Sequence, residues 1–192
     1  MMPDLIARGK HSLRKFFEPF VWRHFFDDVY LRDARLVGYV MDVLADFTHI
    51  DSLYRIRNSF GRRLEEVGEM LTESNPLLEA SSFDRERAVR KHVGDYTLFM
   101  MGLFPESVAR LRRTKRPSLD AFIDYARAGK ESYAIVSSFD QFEYRDEAPL
   151  FRRLSDNFEL CVVGLNFVKH DLEQLQRHYY HYLRQTLDLD NQ

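Results

Sequence analysis

Few residues of this 192-residue chain have both the type and the setting for chemistry, and Asp95 comes first among them. It stands in the run Val93-Gly94-Asp95-Tyr96-Thr97-Leu98-Phe99-Met100-Met101-Gly102-Leu103-Phe104-Pro105-Glu106, apolar on nearly every side of a helix. A helix of that kind belongs in the middle of a core. Two settings suit a carboxylate there. Paired with Lys91 at i−4 or His92 at i−3, it closes a surface where the helix enters the core. Buried in a pocket with Tyr96, it would be desolvated and perturbed as active sites often require. Unpartnered buried carboxylates are costly, which favours the paired setting. A ligand pocket built here would use Asp95, Tyr96 and His92, with Tyr125 or Tyr133 as further polar anchors.

Other chemistry is thinner. His170, His178 and His181 gather near the C-terminus. His178 and His181 are helix neighbours, but His170 falls about three turns from His181, too far to share one metal. No Glu-x-x-His, His-Glu-x-x-His or Cys-x-x-Cys completes a site. No metal or cofactor is therefore expected, and His178 and His181 are weak candidates as ligands. The run Arg110-Leu111-Arg112-Arg113-Thr114-Lys115-Arg116 could meet phosphates, but no nucleic-acid-reading module adjoins it and the net charge is −2. Cations ending a short helix also complement its dipole, so a nucleic-acid partner is not expected. Cys161 falls on an apolar arc, where a thiol is inert packing. Without a Gly-x-Ser-x-Gly, a Gly-x-Gly-x-x-Gly or a P-loop, the balance leans away from an enzyme.

The elements that must position these residues read as helices. Hydrophobic residues make up 45% and charged residues 30%, the balance of a globular chain and not of a disordered one. Asp33 caps an amphipathic helix to Phe47 whose arc is Leu36, Val37, Val40, Met41, Val43, Leu44 and Phe47. A second helix is expected over about Asp51 to Glu73, on the 3-4-4-3-4 stripe Leu53, Ile56, Phe60, Leu64, Val67, Leu71. Ser81-Ser82 open the central helix, about 82–104, with Asp84 and Glu86 in its first turn and Pro105 as its stop. Gly94 and Gly102 let neighbouring helices approach it closely. A short helix follows from Glu106 to Arg113, and Ser118-Leu119-Asp120 caps the next, in which Gly129 marks a bend. Pro149 starts another, with Leu150, Phe151, Leu154, Phe158, Cys161, Val162, Leu165 and Val168 on one arc. Asp171 either caps a last helix or lies inside a continuous one. The tail Asp188 to Gln192 is expected to be loose.

At the N-terminus, Pro19 divides a short helix ending near Phe17 from a second one. Residues 1–30 read as an aromatic-rich arm, packed on the domain's own core or swapped onto a dimer mate. No period-2 alternation, linker or internal repeat appears. The expected fold is all-α: one domain over 1–192, a bundle of about six to eight helices around the central one.

The pattern Arg90-(x3)-Gly94-Asp95-(x3)-Phe99-(x2)-Gly102-Leu103-Phe104-Pro105-Glu106 resembles the signature of an uncharacterised family of bacterial helical proteins. Tyr54-Arg55-Ile56-Arg57 before Leu64-Glu65-Glu66-Val67, and Gly129-Lys130-Glu131-Ser132-Tyr133, resemble the same family, so the likeness covers most of 33–140. It implies a bacterial origin and an all-helical fold, and no chemistry.

One cysteine precludes an intramolecular disulfide and fits a reducing compartment. With neither a signal peptide nor an apolar window long enough to span a bilayer, the expected location is the cytoplasm. The surplus of aromatic residues in 1–30 points to a protein-interaction module that binds another protein, itself included as a homodimer. The alternative is a small-molecule binding protein or enzyme with a pocket in the core near Asp95.

Overall fold

The computed structural model describes residues 2–75, 82–111 and 124–189, with side chains over 12–75, 82–110 and 124–178. Its described residues form nine α-helices and no strand, an all-α fold. They are α1 (Met2–Arg23), α2 (Ala34–Phe47), α3 (Ile50–Leu53), α4 (Val67–Glu73), α5 (Phe83–Leu103), α6 (Pro105–Leu111), α7 (Tyr125–Ser138), α8 (Ala148–Asp156) and α9 (Phe158–Leu189). None of the described helices is long and apolar enough to cross a membrane.

The central helix is α5, packed against α7, α9, α4 and α2. Ser82 caps it, its hydroxyl accepting from the Arg85 backbone N–H. Pro105 ends it and opens α6. Asn166 of α9 donates its side-chain amide to the carbonyls of Met101 and Gly102, both at 3.0 Å. Those carbonyls sit in the last turn of α5, where intrahelical partners run out.

Bare backbone governs how closely the helices approach. A Cβ on Gly94 would lie 2.5 Å from Cε1 of Tyr133, and one on Gly102 would lie 2.5 Å from Cβ of Leu165. Any side chain at either position would push α7 or α9 away. Around these contacts the core closes with Val89, Val93, Leu98, Tyr133, Phe158 and Leu165 buried.

Helix α2 is as expected: Asp33 accepts from the Arg35 and Leu36 backbone N–H groups, and all seven residues of the apolar arc are buried. Elsewhere the chain departs from expectation in three places. Pro19 does not break α1, which runs through it and then loosens into a π turn over His24–Asp28. Pro19 is exposed, so the helical hydrogen bond it cannot make is missing on the solvent side. The inner side carries Phe17, Val21 and Phe25 into the core, so α1 is part of the bundle.

The helix expected over 51–73 is two short helices, α3 and α4, joined by a turn. Asn58 Oδ1 accepts from the N–H groups of Phe60 and Arg62, Gly61 takes φ +80°, and Leu64 N–H bonds to the Ile56 carbonyl at 2.9 Å. Ile56 and Leu64 are buried side by side, which a straight helix could not achieve for residues eight positions apart. The arc from Leu150 to Val168 is broken at Asn157, which ends α8 by donating to the Arg153 carbonyl. Past that point α9 is continuous, and Asp171 lies inside it. Gly129 lies inside α7, which Asp124 caps, and the expected cap at Ser118-Leu119-Asp120 lies outside the described residues.

Candidate functional site

Three helices place the Asp95 cluster. Helix α5 supplies Asp95 and, one turn earlier, Lys91; α2 supplies Tyr39 and α7 supplies Tyr133. The Tyr39 hydroxyl donates to Asp95 Oδ1 at 2.6 Å and the Tyr133 hydroxyl to the same oxygen at 2.9 Å. Lys91 Nζ donates to Oδ2 at 3.1 Å, and its ammonium lies 5.0 Å from the centre of the Tyr39 ring. Only 3% of Asp95 is exposed. The two settings weighed from sequence are thus combined: the carboxylate is buried, and it is paired.

The electrostatics follow from that burial. Tyr39 and Tyr133 are held well above the ordinary phenol pKa, first because their hydroxyls are buried and then because the Asp95 carboxylate opposes a second negative charge. Both stay protonated and serve as donors. Each Asp95 oxygen therefore has a partner within the fold, and Oδ1 accepts from two. Tyr133 is itself immobilised against Gly94. This chemistry fastens α2, α5 and α7 together.

His92 is also buried, but its hydrogen bond goes to α3 and not to Asp95. Its Nε2 is 3.1 Å from the Leu53 carbonyl, and Nδ1 has no partner. Burial, and then the nearby Arg55 cation, push its pKa down to about 4, so Nε2 carries the proton and donates to Leu53. The remaining predicted residues form a chain of rings: His92 to Tyr96 with centroids 6.2 Å apart, and Tyr96 to Tyr125 at 6.5 Å. Asp95, His92, Tyr96, Tyr125 and Tyr133 thus share one packed core region, with Tyr133 alone of the four bonded to Asp95.

Tyr39 is the residue that sequence reasoning missed. It flanks the apolar arc of α2 beside Gly38, and no local signal ties it to a carboxylate on another helix.

Among the described residues no group of three or more His, Cys, Asp or Glu side chains could hold a metal. His170 and His178 are exposed on α9, and the side chain of His181 lies outside the described residues. Of the Arg110–Arg116 run, Arg110 lines a surface groove of about 460 Å³ with Leu103, Phe104, Glu106, Lys169 and Leu172, while 112–116 lie outside the described residues. Cys161 is buried, and burial raises its thiol to about 12.

A different arrangement stands at the N-terminal end of α5. Three phenylalanines there face solvent: Phe60 is 93% exposed, Phe142 87% and Phe83 76%. They are presented by fixed backbone. The Asn58 turn holds Phe60, a 3-10 turn over Phe142–Tyr144 holds Phe142, and Phe83 is the first residue of α5. Consecutive α5 residues tie the two loops to the helix. Asp84 accepts from the Tyr144 hydroxyl at 2.8 Å, and Arg85 donates to the Arg57 carbonyl and to Glu73. Phe142 also sits at φ +50°, a conformation that costs a side-chain-bearing residue roughly 1–2 kcal/mol.

Comparison with protein-family models, with curated proteins and with solved structures returned no significant match.

Proposed function

We propose that this chain is a cytoplasmic protein-interaction module that associates with itself and works by binding, not by catalysis. The observation that carries the reading is the trio Phe60, Phe83 and Phe142, exposed at one end on hydrogen-bonded backbone. Soluble proteins rarely gather large exposed apolar side chains without a partner to cover them, and aromatic anchors dominate interface energetics. The Asp95 cluster supports the same reading from the other side, because both phenols, the ammonium and each carboxylate oxygen have a partner within the fold. The resemblance noted above supports a bacterial origin.

Light scattering coupled to size-exclusion chromatography tests this. The expected result is a mass above the 22.9 kDa of one chain, rising with concentration, and a return to that mass when all three phenylalanines become serine. A wild-type protein that stays at one chain's mass across micromolar to near-millimolar concentrations would overturn the self-association. A second reading, small-molecule binding, is favoured by the groove beside Lys169, whose volume of about 460 Å³ lies in the range of ligand pockets. Native mass spectrometry of freshly purified protein would reveal a carried ligand.

A further inference from the structure

The aromatic end of the bundle also carries charge, and its two turns differ in the charges left without an ion pair among the described residues. The segment holding Phe60 runs Tyr54-Arg55-Ile56-Arg57-Asn58-Ser59-Phe60-Gly61-Arg62-Arg63, with four arginines, and Glu65 and Glu66 follow beside Arg62. Glu69 and Asp51 neutralise Arg62 and Arg63, each across 2.6 Å. Arg57 is exposed, donates to the Gly61 carbonyl and has no carboxylate against it among the described residues. The segment holding Phe142 runs Asp140-Gln141-Phe142-Glu143-Tyr144-Arg145-Asp146-Glu147, four carboxylates against one arginine. Arg87 takes Glu147 at 2.7 Å, whereas Asp140 and Glu143 are exposed and form no ion pair among the described residues.

We propose that this end face docks on the same face of a second copy of the chain about a two-fold axis, the Phe60 turn of each copy lying on the Phe142 turn of the other. This rests on the self-association read above and adds its surface and orientation. In a two-fold contact one patch meets its own image, so the patch must complement itself. A face of one sign would repel its image. A face with an unpaired cation on one turn and unpaired carboxylates on the other attracts it in one orientation, which brings Arg57 toward the partner's Glu143 and Glu143 toward the partner's Arg57. The same rotation lays Phe60 beside the partner's Phe142. Rings bury the apolar area, and charges select the register. The left-handed backbone at Phe142 is explained as the conformation that holds its ring outward.

Charge reversal tests the orientation, read by analytical ultracentrifugation with melting curves as the folding control. Arg57→Glu alone puts carboxylate against carboxylate at both contacts, and Glu143→Lys alone puts cation against cation. Each variant is expected to weaken association about tenfold or more. Mixing the two restores opposite charges at both contacts of the mixed dimer, so the mixture should associate as the wild type does. Phe60→Ser, at a side chain with no core contact to lose, is expected to weaken association with melting unchanged. If Arg57→Glu failed to fold, Glu143→Lys and Phe60→Ser would still decide. A wild-type dimer unmoved by any of these variants overturns the end-face pairing while self-association stands. Two weakened variants whose mixture stays apart overturn the two-fold orientation. A wild-type monomer overturns both readings.

Discussion

The hydroxyl of Tyr39 lies 2.6 Å from Asp95 Oδ1 and joins α2 to α5 through a carboxylate that is almost wholly buried. Removing a donor from such a group leaves its charge less compensated in a medium that solvates it poorly. Tyr39→Phe or Tyr133→Phe should therefore cost about 1–3 kcal/mol of unfolding free energy in urea titrations. Asp95→Ala, which strands two phenols and an ammonium, should cost about 3–5 kcal/mol. Because both phenols share Oδ1, the double Tyr→Phe variant should deviate from additivity by at least about 0.5 kcal/mol. Additive losses below that size would mean that the cluster is not one unit.

The glycines of α5 give a test with a built-in control. Alanine is better than glycine in a helix interior by about 1 kcal/mol, so an unhindered Gly→Ala change stabilises. Gly38, where the nearest atom to an added Cβ is Arg14 Nη2 at 3.7 Å, should behave that way. Gly94 and Gly102 should not, since an added Cβ would meet Tyr133 or Leu165 at 2.5 Å. Overpacking typically costs about 1–3 kcal/mol, so Gly94→Ala and Gly102→Ala should lower the melting temperature while Gly38→Ala raises it. Stabilisation at all three positions would contradict the close approach.

How far the sequence reveals this depends on the range of the interaction concerned. Helices α2 and α5 are legible because their ends are marked locally, by Asp33, Ser82 and Pro105, and because the α2 arc has one apolar face. Glycine at 94 and 102 inside an apolar helix likewise points to close packing without saying against what. The 51–73 segment misleads because its apolar spacing fits a helix. What decides against one is the Asn58 turn and the pairing of Ile56 with Leu64, a gain in burial that only the tertiary fold offers. The partners of Asp95 split the same way. Lys91 lies one turn away and is visible; Tyr133, 38 residues distant, is reached only as one of two candidate tyrosines, and Tyr39, 56 residues distant, not at all. The exposed end face leaves no periodic trace, since it is assembled from three separate segments.

His92 sets a pH dependence whose sign follows from its burial. Its pKa falls from 6.5 to about 4 in the folded chain, so the unfolded chain takes up the proton first as pH drops. The stability tied to the neutral imidazole is fully present above about pH 6.5 and is lost as pH falls through about 4, in total about 3 kcal/mol. Wild-type unfolding free energy should therefore decline over that window more steeply than in His92→Gln, which has no imidazole to protonate. Parallel declines in the two proteins would assign the acid sensitivity to other groups.

Cys161 reports on the integrity of the core. Its thiol is buried and raised to about 12, so almost none of it is thiolate at neutral pH. A thiol-reactive chromogenic disulfide should label the native protein only as fast as the core opens, and the labelling rate in urea should track the unfolding transition. Rapid labelling without denaturant would show that α9 does not stay closed on the core.

The sharpest separation between the expected helix and the observed turn comes at Gly61. In a continuous helix over 51–73, Gly61→Ala would stabilise by about 1 kcal/mol through propensity alone. In the observed turn Gly61 has φ +80° and no atom within 4 Å of an added Cβ, so space is no obstacle and backbone strain decides. A left-handed alanine costs about 1–2 kcal/mol, so the same substitution should destabilise. The two structures thus predict opposite signs from one substitution at an uncrowded position. The turn also presents Phe60, so Gly61→Ala should weaken self-association as well, and Asn58→Ala, which removes the acceptor for two backbone N–H groups, should do the same. A melting temperature raised by Gly61→Ala would restore the helix and remove the ordered turn on which Phe60 is displayed.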